Sequence, residues 1–268
     1  MAEFLLIDGS YYIFYRFHAI LSWWKHAKPD IPLSDNPFIN DEFKSQFIKV
    51  FISKKDDIVN KLKIEKPLII VALDCPRQDI WRNDLYGDYK KGRANNKNVG
   101  EAFKLVFEEE LFEKMGANMV IKHPKLEADD CVAITVKNIR QLSPDKKIYI
   151  ITSDMDYLQI ANENTIPINL QFKQLQESKQ SFKNNEKDLF CKIIMGDKSD
   201  NISSVFKKCG IKTAEKYYND KSLFEKRLDD LEGTKKKYNL NKKLIDFNEI
   251  PKKYIAEVNS GEYTTIYK

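Results

Sequence analysis

IYIITSDMDYL, residues 148–158, opens with four apolar residues and soon reaches two aspartates, Asp154 and Asp156. A short apolar run bounded by polar residues is typical of a β-strand that is buried on both faces of a sheet. The aspartates leave the end of this strand two positions apart. Ligands of open parallel sheets bind beyond the carboxyl ends of the strands. We therefore expect this stretch to bring both carboxylates to a functional site.

Two further strings repeat this pattern, FLLIDGS at 4–10 and PLIIVALD at 67–74, because each apolar run ends at an aspartate. Acidic residues also gather in KLEADDCV at 125–132 and IIMGDKSDNI at 193–202. The acidic candidates are Asp8, Asp74, Glu127, Asp129, Asp130, Asp154, Asp156, Asp197 and Asp200. Like charges brought this close repel one another unless hard cations neutralise them. We therefore predict that these residues bind two Mg²⁺ or Mn²⁺ ions.

Each of these carboxylates also has a simpler interpretation, because an aspartate at a strand end often caps the next helix. Acidic residues in the first turn of a helix can likewise do no more than interact favourably with the helix dipole. However, Glu127, Asp129 and Asp130 crowd a single helical turn that is followed by the apolar residues Cys131 and Val132. Three carboxylates exceed what capping needs, so the cluster as a whole favours a metal site.

Strands and helices alternate along the first part of the chain. The predicted order is strand 4–8, helix 10–24, helix 41–63, strand 68–74, a short helical piece around 77–86, helix 100–115, strand 118–122, helix 128–142 and strand 147–152. This alternation is typical of an α/β fold with a mostly parallel sheet flanked by helices. Beyond about residue 185 the pattern changes to short, lysine-rich helices, and the tail YTTIYK could be a short strand or frayed chain. We therefore predict an α/β domain over 1–185 and a helical part over 186–268.

Composition and charge exclude several classes of protein. The 268 residues are 42% apolar, enough for a core, and no apolar run approaches the ~18 residues of a membrane span. The chain starts without the features of a secretory signal, so we expect a cytoplasmic protein with no membrane partner. Four cysteines without a CxxC pair and three histidines without an HExxH motif point away from disulfide frameworks and zinc hydrolases. The net charge is only +5, but the acids gather at one site, so the remaining surface is more basic and suits a polyanion.

A basic segment, LYGDYKKGRANNK at 85–97, follows the strand that ends at Asp74. It lacks hydrophobic periodicity, so it could simply be a solvated loop. Its position also places cations, with Arg82 just before it, beside the predicted metal ions. A scissile phosphate needs such charges as it becomes pentacovalent, and we favour that role.

The motifs, taken in order, are similar to those of a known family. They are IDGS, ALD followed by IWRNDLYGDYKKGR, EADD, TSDMDYLQI and IMGDKSDNI, spread over residues 4–218. They resemble the 5′-nuclease family: flap endonucleases, phage 5′-exonucleases and RNase H, and the 5′-nuclease domain of DNA polymerase I. The resemblance implies a PIN-like fold and phosphodiester hydrolysis with two divalent ions. It assigns Asp8, Asp74, Glu127 and Asp129 mainly to one ion, Asp154, Asp156 and Asp200 to the other, and Asp130 and Asp197 to positions close by.

The same resemblance implies a helical arch above the active site, at about residues 88–115. The cations at the phosphate being cut would be Lys90 with Arg82 or Arg93, and the arch lysines that contact DNA would be Lys91 and Lys97. Phe14, on the first helix, occupies the position where the family stacks an aromatic ring on a terminal base. A core role for Phe14 is equally open, and Tyr11, Tyr12 and Phe17 compete for the stacking role.

The string GDKSDNISSVFKKCGIKTAEKYY at 196–218 resembles the family's helix-three-turn-helix element, which grips the backbone of duplex DNA. The lysines that would make these contacts are Lys207, Lys208, Lys212 and Lys216. The family's turn is rich in glycine, whereas here only Gly210 remains and Ser204 and Lys208 stand near two of the other positions. Glycines in such a turn let backbone N–H groups approach a phosphate, often with a bound monovalent ion. Their replacement weakens the case for a K⁺ site.

We therefore predict a Mg²⁺-dependent, structure-specific 5′-3′ exonuclease or flap endonuclease that acts as a monomer in replication or repair. Its substrates would be DNA with a 5′ flap, a nick or a free 5′ end, with RNA–DNA hybrids as a further candidate. Two alternatives stay open. A PIN-type ribonuclease shares the acidic pocket but generally lacks the duplex-binding element. A catalytically silent DNA-binding protein could share the fold, although no expected carboxylate is missing here.

Overall fold

The computed structural model describes residues 3–92 and 97–267, without the side chains of residues 97 and 98. Over these ranges the chain forms one sheet of six strands in the order β5-β4-β1-β2-β3-β6. The strands are β1 (Phe4–Asp8), β2 (Leu68–Ala72), β3 (Met119–Ile121), β4 (Ile148–Ile151), β5 (Thr165–Ile168) and β6 (Thr264–Ile266). All neighbouring strands are parallel except β3 and β6, which are antiparallel. The predicted mostly parallel sheet is confirmed.

Helices cover both faces of this sheet and form most of the C-terminal third. They are α1 (Gly9–Ala27), α2 (Asp41–Leu62), α3 (Lys97–Glu108), α4 (Leu111–Lys114), α5 (Ala128–Leu142), α6 (Asn185–Met195), α7 (Ile211–Asn219), α8 (Lys221–Asp230), α9 (Thr234–Ile245) and α10 (Lys252–Asn259). Short 3₁₀ turns at Arg77–Asp79 and Trp81–Asp84 stand where a short helical piece was expected. None of the described helices is both long and apolar enough to cross a membrane.

The side chains of β1 alternate between the two faces of the sheet, so this strand contributes to two hydrophobic cores. Leu5 and Ile7 face the core that contains α1, α2 and α3, whereas Leu6 faces the core that contains α5 and α10. Successive side chains of a strand point to opposite faces, so a strand buried on both faces needs apolar residues throughout. This is why the predicted strands are continuous apolar runs that end at the first aspartate.

The sequence did not indicate β5, and it left the tail open as either a strand or frayed chain. β5 has the sequence TIPI and pairs with β4 as an edge strand, where Pro167 can be tolerated because one side needs no hydrogen-bond donor. β6 closes the opposite edge against β3, and α10 packs on α5. The last part of the chain therefore returns to the sheet, while the predicted division after residue 185 stays a prediction.

The predicted arch at about 88–115 also stays a prediction, because residues 93–96 lie outside the described part of the chain. Beyond this gap, α3 packs on α1. It buries Val99, Ala102, Leu105 and Val106 in the main core. Helix α3, which forms the later part of the predicted arch segment, thus packs against α1 beside the carboxyl edge of the sheet.

Candidate active site

Five of the predicted carboxylates line a single cavity of about 870 Å³ at the carboxyl edge of the sheet. They are Asp8, Asp74, Glu127, Asp129 and Asp154. β1 lies between β4 and β2 and runs parallel to both, so the carboxyl ends of these strands bring three of the aspartates together. The start of α5 adds the other two carboxylates. The structure therefore brings five of the nine predicted acidic residues to one cavity.

Two of these aspartates cap a helix and also face the cavity. Asp8 Oδ1 accepts the backbone N–H of Tyr11 at 3.0 Å, and Asp154 Oδ1 accepts that of Asp156 at 2.9 Å. The simpler interpretation as helix caps is thus correct for one oxygen of each residue. Asp8 Oδ2 lies 3.4 Å from the hydroxyls of Thr152 and Tyr157. A cap fixes the carboxylate and still leaves an oxygen for a ligand.

The electrostatics of the cavity favour a bound cation. Burial, together with the neighbouring charge of Asp74, raises the pKa of Asp8 from 3.8 to about 7. Burial and the charges of Asp130 and Glu127 likewise raise the pKa of Asp129 well above its usual value. The raised pKa values show that burial and mutual repulsion disfavour the ionised carboxylates, and a hard divalent cation would offset that cost.

We expect divalent metal binding to weaken as the pH falls below 7, because the ion must displace a proton from Asp8. A carboxyl with a pKa raised to about 7 is mostly protonated at pH 6 and ionised at pH 8.5. Metal affinity should therefore drop by up to ~10-fold per pH unit for each proton displaced. Calorimetric Mn²⁺ titrations in two buffers of different ionisation enthalpy measure the released protons. Greater proton release at pH 6 than at pH 8.5 is the expected result, and equal release at both would contradict it.

The donor atoms suit a hard metal ion. Asp74 accepts the backbone N–H of Ala128 at 2.8 Å and the hydroxyl of Ser10, so its carboxylate is held in place by α5 and α1. Cys75 also lines the cavity, but burial and the surrounding carboxylates raise the pKa of its thiol to about 12. A neutral thiol is a poor metal ligand. The carboxylates therefore form an oxygen donor set of the type that Mg²⁺ and Mn²⁺ prefer.

The remaining predicted ligands lie beside this cavity. Asp156 and Asp197 line a second cavity of about 510 Å³, next to α6. Lys192 of α6 forms ion pairs with both of them. Asp200 is 6% exposed and lies 3.7 Å from the ammonium of Lys90. Asp154 thus shares a cavity with the first group, Asp156 and Asp197 lie beside α6, and Asp200 lies near Lys90.

Arg82 does not occupy the predicted position at the scissile phosphate. Its side chain is 2% exposed and pairs with both oxygens of Asp130 at 2.7 Å, while its Nε donates to the carbonyl oxygen of Leu244 at 2.8 Å. Asp130 is fully buried and also accepts the indole N–H of Trp81 at 3.0 Å. This geometry favours a positioning role for Arg82 beneath the site, while Asp130 offers a carboxylate oxygen within 4.8 Å of oxygens of Glu127 and Asp129.

Lys90 lines the acidic cavity, as do two further cations, Arg77 and Lys122. Its ammonium pairs with Glu127, which also accepts the hydroxyl of Tyr89 at 2.9 Å and the guanidinium of Arg82 at 3.1 Å. Burial would raise the pKa of Glu127, but Lys90 and Arg82 outweigh it and lower that pKa. Burial would lower the pKa of Lys90, but the carboxylates of Glu127, Asp129 and Asp200 outweigh it and raise that pKa. Lys90 therefore stays a cation around neutral pH.

The predicted DNA contacts are spread over the surface around the site. Phe14 is 49% exposed and lines the main cavity together with Phe103 and Phe107 of α3. The exposed lysines are Lys91 on the basic segment and Lys207, Lys208, Lys212 and Lys216 around the turn before α7. Arg93 and the side chain of Lys97 lie outside the described residues. All of these contacts stay predictions.

Lys208 has a positive φ of 57°, in the left-handed region that favours glycine. This backbone agrees with the prediction that Lys208 stands near one of the family's turn glycines. Gly196 has a φ of 69°, and a Cβ there would meet the carbonyl oxygen of Ile202 at 2.3 Å. The turn that carries Asp197 and Asp200 therefore needs glycine at its first position.

Sequence reasoning missed three residues that organise the site: Ser10, Tyr89 and Lys192. Ser10 follows the first aspartate in IDGS, and Tyr89 directly precedes Lys90, so both were within reach of the motifs. Lys192 was harder to find because it stands in the apolar string CKIIM, where helical periodicity alone gives no reason to single it out.

Taken together, the parallel sheet and the acidic pocket at its carboxyl edge define an α/β protein with a site for divalent metal ions. The family model described as 5′-3′ exonuclease, N-terminal resolvase-like domain, matches residues 3–192. The chain belongs to this family, as its motifs predicted.

Known relatives agree with this assignment. The chain is 29% identical over 254 residues to DNA polymerase I of Streptococcus pneumoniae, covering 89% of this chain and 26% of the polymerase. It is 29% identical over 224 residues to Ribonuclease H of Enterobacteria phage T4, covering 75% and 70% of the two chains. The chain thus spans about a quarter of the polymerase.

The fold is also similar to a solved structure of the bacteriophage T5 flap endonuclease in a pseudo-enzyme-product complex with DNA and metal ions. The TM-score is 0.68 at 16% sequence identity, covering 97% of this chain and 94% of that chain. The likeness confirms the predicted PIN-like α/β fold.

Proposed function

We propose that this protein is a divalent metal-dependent 5′-3′ exonuclease and flap endonuclease that hydrolyses phosphodiester bonds in DNA. The observation that carries the proposal is the cavity in which five carboxylates and the ammonium of Lys90 converge. Family membership supports the same activity, and relatives named DNA polymerase I and Ribonuclease H support a role in replication or repair.

The residues of the chain divide the catalytic work. Asp8, Asp74, Asp129 and Asp154 would hold divalent ions, Mg²⁺ or Mn²⁺, at the carboxyl edge of the sheet. When bound, such ions lower the pKa of a bound water and stabilise the departing oxygen. Lys90 would face the phosphoryl oxygens, where negative charge accumulates in the transition state. The products would carry a 5′-phosphate and a 3′-hydroxyl.

The substrate would be duplex DNA with a 5′ flap, a nick or a free 5′ end. Two regions of the surface support this choice: α6, α7 and the lysine-rich turn between them on one side, and the aromatic wall of the cavity on the other. Cations that contact backbone phosphates give affinity without sequence specificity, which suits an enzyme that recognises structure. We extend the proposal to RNA–DNA hybrids as a further substrate. We also propose that the protein is monomeric and cytoplasmic, and that no K⁺ ion binds at the lysine-rich turn between α6 and α7.

The test uses purified protein and labelled substrates: 5′-flap, nicked and single-stranded DNA, an RNA–DNA hybrid and single-stranded RNA. Each is incubated with Mg²⁺, with Mn²⁺ or with EDTA. Metal-dependent cutting at the flap junction or from the 5′ end is the expected result. Cleavage of single-stranded RNA alone would favour the PIN-type ribonuclease, and binding without cutting would favour the silent DNA-binding protein.

A further inference from the structure

Lys192 lies between Asp156, which is predicted to bind the second metal ion, and Asp197, which is predicted to lie close by. It belongs to the last turn of α6, and its side chain is 22% exposed. The ammonium forms an ion pair with Asp156 and a second one with Asp197 at 3.0 Å. A lysine ammonium therefore occupies the space between these carboxylates.

The electrostatics of Asp197 reflect this neighbour. Burial would raise its pKa, but Lys192, together with the hydroxyl and backbone N–H of Ser199, outweighs that effect and lowers the pKa to about 2. Ser199 donates its N–H to Asp197 at 2.7 Å. Asp197 is thus held as a carboxylate, and Lys192 is the nearby cation that balances it.

The carboxylates that line the main cavity show a different arrangement. Within residues 3–92 and 97–267, no ion pair with lysine or arginine reaches Asp8, Asp74, Asp129 or Asp154, whereas Glu127 pairs with Lys90 and Arg82. Asp156 and Asp197 share one ammonium, which belongs to the chain. A divalent ion arriving between Asp156 and Asp197 must therefore displace Lys192.

We propose that Lys192 is a tethered cation that competes with the second divalent ion for Asp156 and Asp197 and so sets the metal concentration at which that ion binds. The inference rests on the proposed function for the identity of the second site. Lys192 has room to leave, because its side chain also lines the cavity of about 510 Å³ beside α6. Losing a charged hydrogen bond of this kind changes an equilibrium by ~10-fold or more.

The alternative is that Lys192 only fastens α6 to the turn that carries Asp156. The two roles predict opposite signs for the same change. If Lys192 competes, removing its charge tightens binding of the second ion. If Lys192 only holds the carboxylates in place, removing its charge lets them move apart and weakens binding of the second ion.

The test is a Mn²⁺ titration without DNA, followed by electron paramagnetic resonance of free Mn²⁺, on the full chain and on Lys192→Met. The wild type should bind one ion tightly and a second more weakly, and Lys192→Met should bind the second ~10-fold or more tightly. Lys198→Met is the matched control, since Lys198 is exposed, lies next to Asp197 and forms no ion pair among the described residues. It should stay within ~2-fold of the wild type, as expected for a surface change.

Thermal unfolding supplies a second measurement. Without metal, Lys192→Met should melt below the wild type, because Asp156 and Asp197 then repel each other unopposed. Added Mn²⁺ should raise its melting temperature by more than it raises that of the wild type. If Lys192→Met does not fold, Lys192→Gln makes the same test, and Lys192→Arg should bind the second ion as the wild type does.

Two outcomes would overturn the inference, and they differ in what else they overturn. In the first outcome the wild type binds two ions, and folded Lys192→Met binds the second ion with unchanged or lower affinity. That result would exclude competition by Lys192 and leave the proposed function intact. Absence of Mn²⁺ binding in the wild type and in every variant would contradict both the proposed metal-dependent nuclease activity and the inference.

Discussion

Replacement of Asp154 by asparagine is expected to abolish cleavage while duplex binding persists. Asparagine caps helices as well as aspartate does, so it can keep accepting the N–H of Asp156 and preserve the turn after β4. What the change removes is the negative charge that faces the main cavity. Even outer-shell changes around metal ions cost ~10–100-fold, so loss of a direct ligand should leave less than ~1% of the single-turnover rate.

The control is Asp145→Asn, which makes the same chemical change at an exposed residue just before the other end of β4. It should cleave at the wild-type rate. Duplex binding is measured in Ca²⁺ by fluorescence anisotropy, separately from cleavage. Loss of duplex binding together with a lower melting temperature in Asp154→Asn would make this carboxylate structural and contradict its place among the metal ligands.

The position of the site could be predicted from the sequence because it follows from the topology. Asp8, Asp74 and Asp154 each come at or just after the end of a buried parallel strand, and such ends meet at one edge of a sheet. No packing detail is needed for this step. The caps made by Asp8 and Asp154 show that the simpler interpretation and the functional one describe different oxygens of the same residue.

The partners of the carboxylates could not be predicted, because they depend on which way each basic side chain points. Arg82 lies just before the basic segment that carries Lys90, yet Arg82 is enclosed beneath the site and Lys90 lines the cavity. Lys192 is distant in sequence from Asp156 and reaches it only because α6 packs against the turn after β4. Strand β5 was missed for a related reason: four residues containing a proline gain strand character only from pairing with β4.

Lys90→Met is expected to slow the chemical step by at least ~10²-fold without weakening metal binding. Methionine retains the apolar length of the side chain and removes only its charge. The ammonium of Lys90 pairs with Glu127 at the wall of the main cavity, which is where a phosphate bound by the metal ions would present its oxygens. Because the surrounding carboxylates raise the pKa of Lys90, the loss should be equally large at every pH from 6 to 9.

The combination of rate and metal affinity separates two roles for Lys90. After the change, Glu127 keeps its contacts with Arg82 and Tyr89, so it stays ionised and in place. Mn²⁺ affinity should therefore be unchanged or higher, while the single-turnover rate falls. Lys173→Met, at an exposed lysine with no ion pair among the described residues, should change neither quantity. A near-normal rate in Lys90→Met would show that Lys90 serves only to neutralise Glu127, and the charge at the scissile phosphate would then have to come from the metal ions or from other cations.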